Sequence, residues 1–209
     1  STYTNIVDGV TIRWNRSYVT DYFPYDQDNP ETHPSNMWMA RDGQGSTRNI
    51  VFHNNLVYGG DPCVNVEMAV DSMWVYNNTF IHPDATMNYV WYGTANGDDM
   101  HFFNNIGVSY YTYPAIARDL ISPTNPPEGN VIWMVNGGTN GGWYLGNVPA
   151  NNYTNTNPLF TTYTNGTKIW NVSDISKTSY VDTRFTLQSG SSARGYGINA
   201  GATYNKSLN

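Results

Sequence analysis

Two aspartates, an acidic loop and a row of aromatic side chains are where this 209-residue chain could do chemistry. Asp71 stands two positions before Met73 in DSMWVYNN, and Asp98 two positions before Met100 in DDMHFFNN. Hydrolysis of a glycosidic bond needs two carboxyl groups about 5–9.5 Å apart. If the two segments are equivalent stacked strands, these aspartates lie about 5 Å apart, which raises the pKa of one of them. The same offset also describes an ordinary turn position. Asp99 points to the opposite face from Asp98, so only one of that pair can serve; Glu67 is close by in sequence. Asp26, Asp28 and Glu31, in DYFPYDQDNPETHPSN, offer oxygen ligands for Ca2+. They lack the glycine and closing glutamate of a dedicated calcium loop, and a solvated acidic loop has the same composition.

These residues need a scaffold, and the scaffold is written as a repeat. NIVFHNN, SMWVYNN and DMHFFNN each end in an Asn pair, at intervals of 23 and 27 residues (54 to 77, 77 to 104). Ahead of each pair, apolar residues alternate: Ile50 and Phe52, Met73 and Val75, Met100 and Phe102. A period of two marks a strand with one buried face. Weaker copies flank the three, VTIRWNRSYV from Val10 and NVIWMVNGG from Asn130. Repeats of about 20–30 residues, each a short strand with turns, indicate a solenoid of parallel strands stacked rung on rung. Asn suits a sharp corner because it tolerates left-handed backbone. Its amide carries donor and acceptor together, so Asn54, Asn77 and Asn104, or their partners Asn55, Asn78 and Asn105, are expected to stack as a hydrogen-bonded ladder.

With Ile50 and Phe52 inward, the alternate residues face out in two columns, Val51/Trp74/His101 and His53/Tyr76/Phe103. So aromatic an outer face is unusual for a solvated sheet. Three readings stand: a loop covers it; Trp74, Tyr76, His101 and Phe103 bind a glycan; or the strip meets another subunit.

Composition narrows the rest. Charged residues make up 12% and aromatics 15%, a turn-rich β composition rather than a disordered one. The net charge is −6 and the 10 Lys and Arg residues do not cluster, which argues against a nucleic-acid or anionic-membrane partner. No apolar run is long enough to span a membrane. Cys63 is the single cysteine and reads as a small buried residue. The length suits one domain over 1–209, with rungs over about 8–138 and an irregular closing segment over about 139–209. No signal peptide is seen, and Ser1 suggests a mature chain or a piece of a longer one.

With the tail included, the chain resembles the right-handed parallel β-helix superfamily, the pectate-lyase-like group. NPLF at 157–160 and TRFTLQSGSSARGYGINAG at 183–201 are similar to the closing segment of many secreted bacterial β-helix proteins. There N/D-P-L-F precedes D-F-x-L-x-x-G-S-P-A-x-x-x-G; here Ser192 replaces the usual proline, and Thr183-Arg184 precede Phe185. The resemblance implies an all-β solenoid, an extracellular or cell-surface location, and action on a polysaccharide by lyase or hydrolase chemistry. For β-elimination on a polyuronate it implies a base and a cation, for which His53 and Arg41 are the best available. Ca2+ is the one cofactor suggested. The alternative within the same superfamily is a non-catalytic fibre, spike or adhesin subunit. A repeat already begins at Val10 without an obvious cap, so the expectation is either missing rungs or a neighbouring chain at that end, with self-association.

Overall fold

The computed structural model describes residues 6–18, 37–39, 46–58, 64–66, 72–82, 90–92, 100–109, 127–134, 151–154, 156–161 and 185–198. Among these the chain is all-β, without an α-helix, and every pairing between strands is parallel. The strands fall into four sheets. Sheet 1 pairs β1 (Ile6–Asp8) with β5 (Ser46–Arg48). Sheet 2 runs β2 (Thr11–Arg13), β6 (Ile50–His53), β9 (Met73–Tyr76) and β12 (Met100–Phe103). Sheet 3 continues through β3 (Arg16–Tyr18), β7 (Leu56–Tyr58), β10 (Thr79–His82), β13 (Ile106–Ser109), β14 (Val131–Met134) and β15 (Tyr153–Thr154). Sheet 4 holds β4 (Met37–Met39), β8 (Val64–Val66) and β11 (Val90–Tyr92). Within each sheet, neighbours in space come from successive repeats of the sequence.

The alternation read in the sequence sets which way the side chains point. Ile50, Phe52, Met73, Val75 and Phe102 of sheet 2 are buried, as are Val57, Phe80 and Ile132 of sheet 3. They meet in one interior: the Phe80 ring stacks between Phe52 and Phe102, with centroids 6.1 and 6.5 Å away. Each such side chain contributes about 1.5–3 kcal/mol through burial.

The bend from sheet 2 to sheet 3 takes two residues, and they divide the work. The first adopts a left-handed backbone: Trp14, Asn54, Asn77, Asn104, Gly129 and Asn151 have φ of 61°, 55°, 55°, 57°, 67° and 64°. The second is asparagine on every rung. Asn15, Asn55, Asn78, Asn105, Asn130 and Asn152 form a continuous ladder in which each Nδ2 donates to the next Oδ1 at 2.9–3.1 Å. The same Oδ1 accepts the preceding Asn's backbone N–H at 2.9–3.0 Å. The second amide hydrogen goes to a main-chain carbonyl, as from Asn78 to Phe52 and from Asn105 to Val75. Asn55, Asn78, Asn105 and Asn130 are almost completely buried, so these bonds satisfy amides that water does not reach. The ladder therefore runs through the second Asn of each pair, and the first supplies the turn.

The closing segment lies along the side of sheet 3. Tyr58, Ile81 and Val108 project from its outer face, with Leu56, Ile106 and Trp133 beside them, and Phe160, Phe185 and Leu187 pack against them. An antiparallel bridge joins Phe160 to Leu187. Ser191 Oγ donates to the Pro158 carbonyl, and Gln188 Nε2 to that of Phe160. The segment is then tied to the corner: Asn104 Nδ2 donates to the Ile198 carbonyl at 3.1 Å, and Ile198 N–H donates back to Asn104 Oδ1 at 2.7 Å. Gly129 makes room for this clamp, since a Cβ there would lie 2.5 Å from Asn104 Oδ1.

Replacing Asn78 by Ala should lower the unfolding free energy by about 3–5 kcal/mol, because the Phe52 carbonyl and two Asn55 N–H groups lose their buried partner. Denaturant titration measures it. A loss below about 0.5 kcal/mol would mean that the ladder bonds are readily replaced.

Candidate functional site

The outer face of sheet 2 collects the described residues with chemical potential. Strand register places Val51, Trp74 and His101 in one column and Arg13, His53, Tyr76 and Phe103 in the next. His53, Tyr76 and Phe103 are stacked: centroids lie 4.7 and 5.0 Å apart, with interplanar angles of 15° and 1°. Trp74 stacks on His101 at 3.7 Å, and its edge meets Phe103. Aromatic pairs in these geometries each contribute about 0.5–1.5 kcal/mol beyond burial.

Stacking along the rungs determines what the strip can offer a ligand. Both faces of Tyr76 are occupied by neighbouring rings, and it is only 4% exposed; Phe103 is 6% exposed. Single-chain burial of this depth requires no second subunit. Val51, His53, Trp74 and His101 remain half-buried, and Arg13 is exposed. The reachable part of the strip is thus its margin: the Arg13 guanidinium, the His53 imidazole and the Trp74–His101 pair.

Arg13 and His53 are register partners on adjacent strands, and the consequence is electrostatic. Burial holds the His53 pKa below its ordinary value of 6.5, and the positive charge of Arg13 lowers it further. His53 is therefore neutral at neutral pH. Its Nδ1 lies 2.9 Å from Asn54 Nδ2, so the corner residue fixes the ring and leaves Nε2 as the nitrogen open to a ligand. Trp14 lies edge-on to the same imidazole with its centroid 6.5 Å away.

Of the residues singled out in the sequence, the structure brings together His53, Trp74, Tyr76, His101 and Phe103. Arg41, Asp71, Asp98, Asp26, Asp28 and Glu31 lie outside the described residues, as does Cys63. No group of three or more potential metal ligands occurs among the described residues. Sequence reasoning passed over Arg13, although the signal was present: aligning Asn15 with Asn55 sets Arg13 directly over His53. A cleft of about 320 Å3 also opens at the corner, lined by Asn77, Asn104, Gly129, Gly197 and Ile198. The Asn104 amide there is engaged by Ile198.

No family model matches the chain, and no curated protein or solved structure matches it either.

The His53 environment sets a pH dependence. With its pKa depressed in the folded state, His53 binds a proton more readily when unfolded. Its contribution to stability is therefore complete above pH 6.5 and declines as the pH falls from there to the folded value. Melting temperature followed from neutral to mildly acidic pH should show this fall, and His53→Gln should flatten it. A wild-type profile without the fall would show that the imidazole is freely solvated.

Proposed function

We propose that this chain is a right-handed parallel β-helix that acts on a polysaccharide outside the cell, through the outer face of sheet 2. The coil is supported by parallel pairing of successive repeats, by the corner ladder, and by the right-handed sense general to parallel crossover connections. The observation that carries the function is the adjacency of Arg13 and a neutral His53 on an outward face.

A cation beside a neutral base suits β-elimination on a uronic-acid polymer. Arg13 pairs with the sugar carboxylate and stabilises the charge that develops when the neighbouring carbon loses its proton. As placed, Asn54 Nδ2 donates to His53 Nδ1, which puts the proton on Nε2; His53 Nε2 accepts the C5 proton once the Asn54 amide is turned over, so that its buried, unpartnered Oδ1 takes Nδ1–H instead. The C4–O bond then breaks, a C4=C5 double bond forms, and the leaving oxygen takes a proton from solvent. The half-buried Trp74–His101 pair offers an apolar edge to a neighbouring sugar. The steps are written for Arg13 and His53 alone; Arg41 as a second cation, and Ca2+ held by Asp26, Asp28 and Glu31, belong to the same reading as additions to it.

Incubating the protein with a panel of plant and algal polyuronates, with and without Ca2+, tests this through the ultraviolet absorbance of unsaturated ends. His53→Ala should lower the rate by about 10²–10⁴-fold, the usual worth of a general base. Arg13→Ala should lose activity on acidic polymers without loss of folding, because the side chain is exposed. New reducing ends without ultraviolet absorbance would move the chemistry to hydrolysis, with Asp71 and Asp98 as the carboxylates. Neither cleavage nor binding of any polymer would overturn the reading.

A further inference from the structure

The amide of Asn54 has a place in the structure that its corner does not require. Its Nδ2 lies 2.9 Å from His53 Nδ1, and its Oδ1 is buried without a hydrogen-bond partner among the described residues. The residue is 5% exposed, so bulk water does not reach that oxygen either. The bend needs only a left-handed backbone, which Gly129 supplies at the same position of a later rung with φ 67°. The ladder runs through Asn55. Asn77 and Asn104 follow Tyr76 and Phe103, whose rings carry no nitrogen. Among the described corners only Asn54 sets its amide against a ring nitrogen.

A neutral imidazole carries one proton on two nitrogens, so Nε2 always does the reverse of Nδ1. With the amide N–H toward the ring, Nδ1 accepts and Nε2–H is a donor to anything on the outer face of sheet 2. With the amide turned over, Oδ1 takes Nδ1–H and Nε2 presents a lone pair. That turn also gives a partner to the oxygen that otherwise has none. The two ends of an amide are close in shape, so the exchange leaves the backbone where it is. The Tyr76 ring, stacked on the imidazole with centroids 4.7 Å apart, holds the ring plane in both arrangements.

We propose that Asn54 is a positioning residue that selects the tautomer of His53, and with it whether the imidazole offers a ligand a proton or a lone pair. A ligand that presents an oxygen acceptor to Nε2 favours the first arrangement, and a substrate that brings an acidic C–H to Nε2 favours the second. The kinetic consequence rests on the reading of His53 as the base; the tautomer itself does not. Arg13 on β2 and Tyr76 on β9 are the charged and titratable side chains in register with His53, and neither is anionic at neutral pH. A carboxylate at position 54 is therefore a new charge for this ring among the described residues.

Two substitutions separate the ends of the amide. Asn54→Asp leaves only oxygen, in a residue that tolerates left-handed backbone. Asn54→Gly leaves neither end, at a φ that glycine adopts freely. Nitrogen NMR of the imidazole rings in the full chain reads which ring nitrogen is protonated, and His53→Gln assigns His53 among the four histidines. Asn54→Asp should protonate Nδ1 and raise the His53 titration midpoint by about one pH unit or more, the effect of an adjacent opposite charge. Asn54→Gly should leave a mixture of the two tautomers. In polyuronate cleavage, Asn54→Asp should move the acid limb of the kcat/KM profile upward with that midpoint, and Asn54→Gly should lower kcat with KM little changed. Thermal melting confirms that each variant is folded. The same ring-nitrogen pattern and the same midpoint in the wild type and in both folded variants would overturn the proposal. If no polymer is cleaved, the reading of His53 as a base fails, while the NMR measurement still decides the role of Asn54.

Discussion

A one-way chain of amide hydrogen bonds is the constraint on which the rest of this molecule depends. Six asparagines pass N–H groups in one direction along the corner between two sheets. Turning a corner inside a protein normally strands main-chain carbonyls and N–H groups away from water. Here the side-chain amide of each rung takes up both, so the corner can be buried and the sheets can meet at a sharp angle around one core. Serine or threonine carries no comparable pair of donors beside an acceptor, and aspartate carries no N–H at all.

The ladder also explains why the connections are free to differ. Ladder neighbours are separated by 40, 23, 27, 25 and 22 residues, while the corner geometry stays constant. Register is fixed at one point per rung, and any length of chain can intervene before the next. Side chains carried by the strands, such as those of Arg13 and His53, are therefore held in columns by a device remote from whatever the loops contain. The stacked rings of His53, Tyr76 and Phe103 follow from that alignment, because side chains in register on parallel strands fall one above another.

What the sequence disclosed, it disclosed through periodicity. The alternation in IVFH, MWVY and MHFF placed the inward and outward faces correctly, and the Asn pairs marked the corners. Which Asn of each pair makes the turn is a matter of backbone geometry, so both remained open until the φ values separated Asn54 from Asn55. Asn151-Asn152 carries the same pair but lacks the alternating residues before it, and the last ladder position went unread. The aromatic columns were legible as columns, yet their flat faces read as free when they are turned onto one another. Arg13 went unread as a partner of His53 because its repeat has one Asn and an unexpected Trp14 at the turn. The candidate carboxylates Asp71 and Asp98 and the acidic loop fall outside the described residues, so the sequence remains their only account.

The clamp between Asn104 and Ile198 joins positions 94 residues apart, and Phe160 and Phe185 cover strands made much earlier. During synthesis the rungs can assemble in order, each on the one before. On the outer face of sheet 3, Tyr58, Ile81 and Val108 nevertheless lack the cover of Phe160 and Phe185 until those later residues have emerged. An apolar surface made early and covered late is adhesive in the interval, a setting in which a holding chaperone, or delay of folding until the cover is present, decides between the native fold and aggregation.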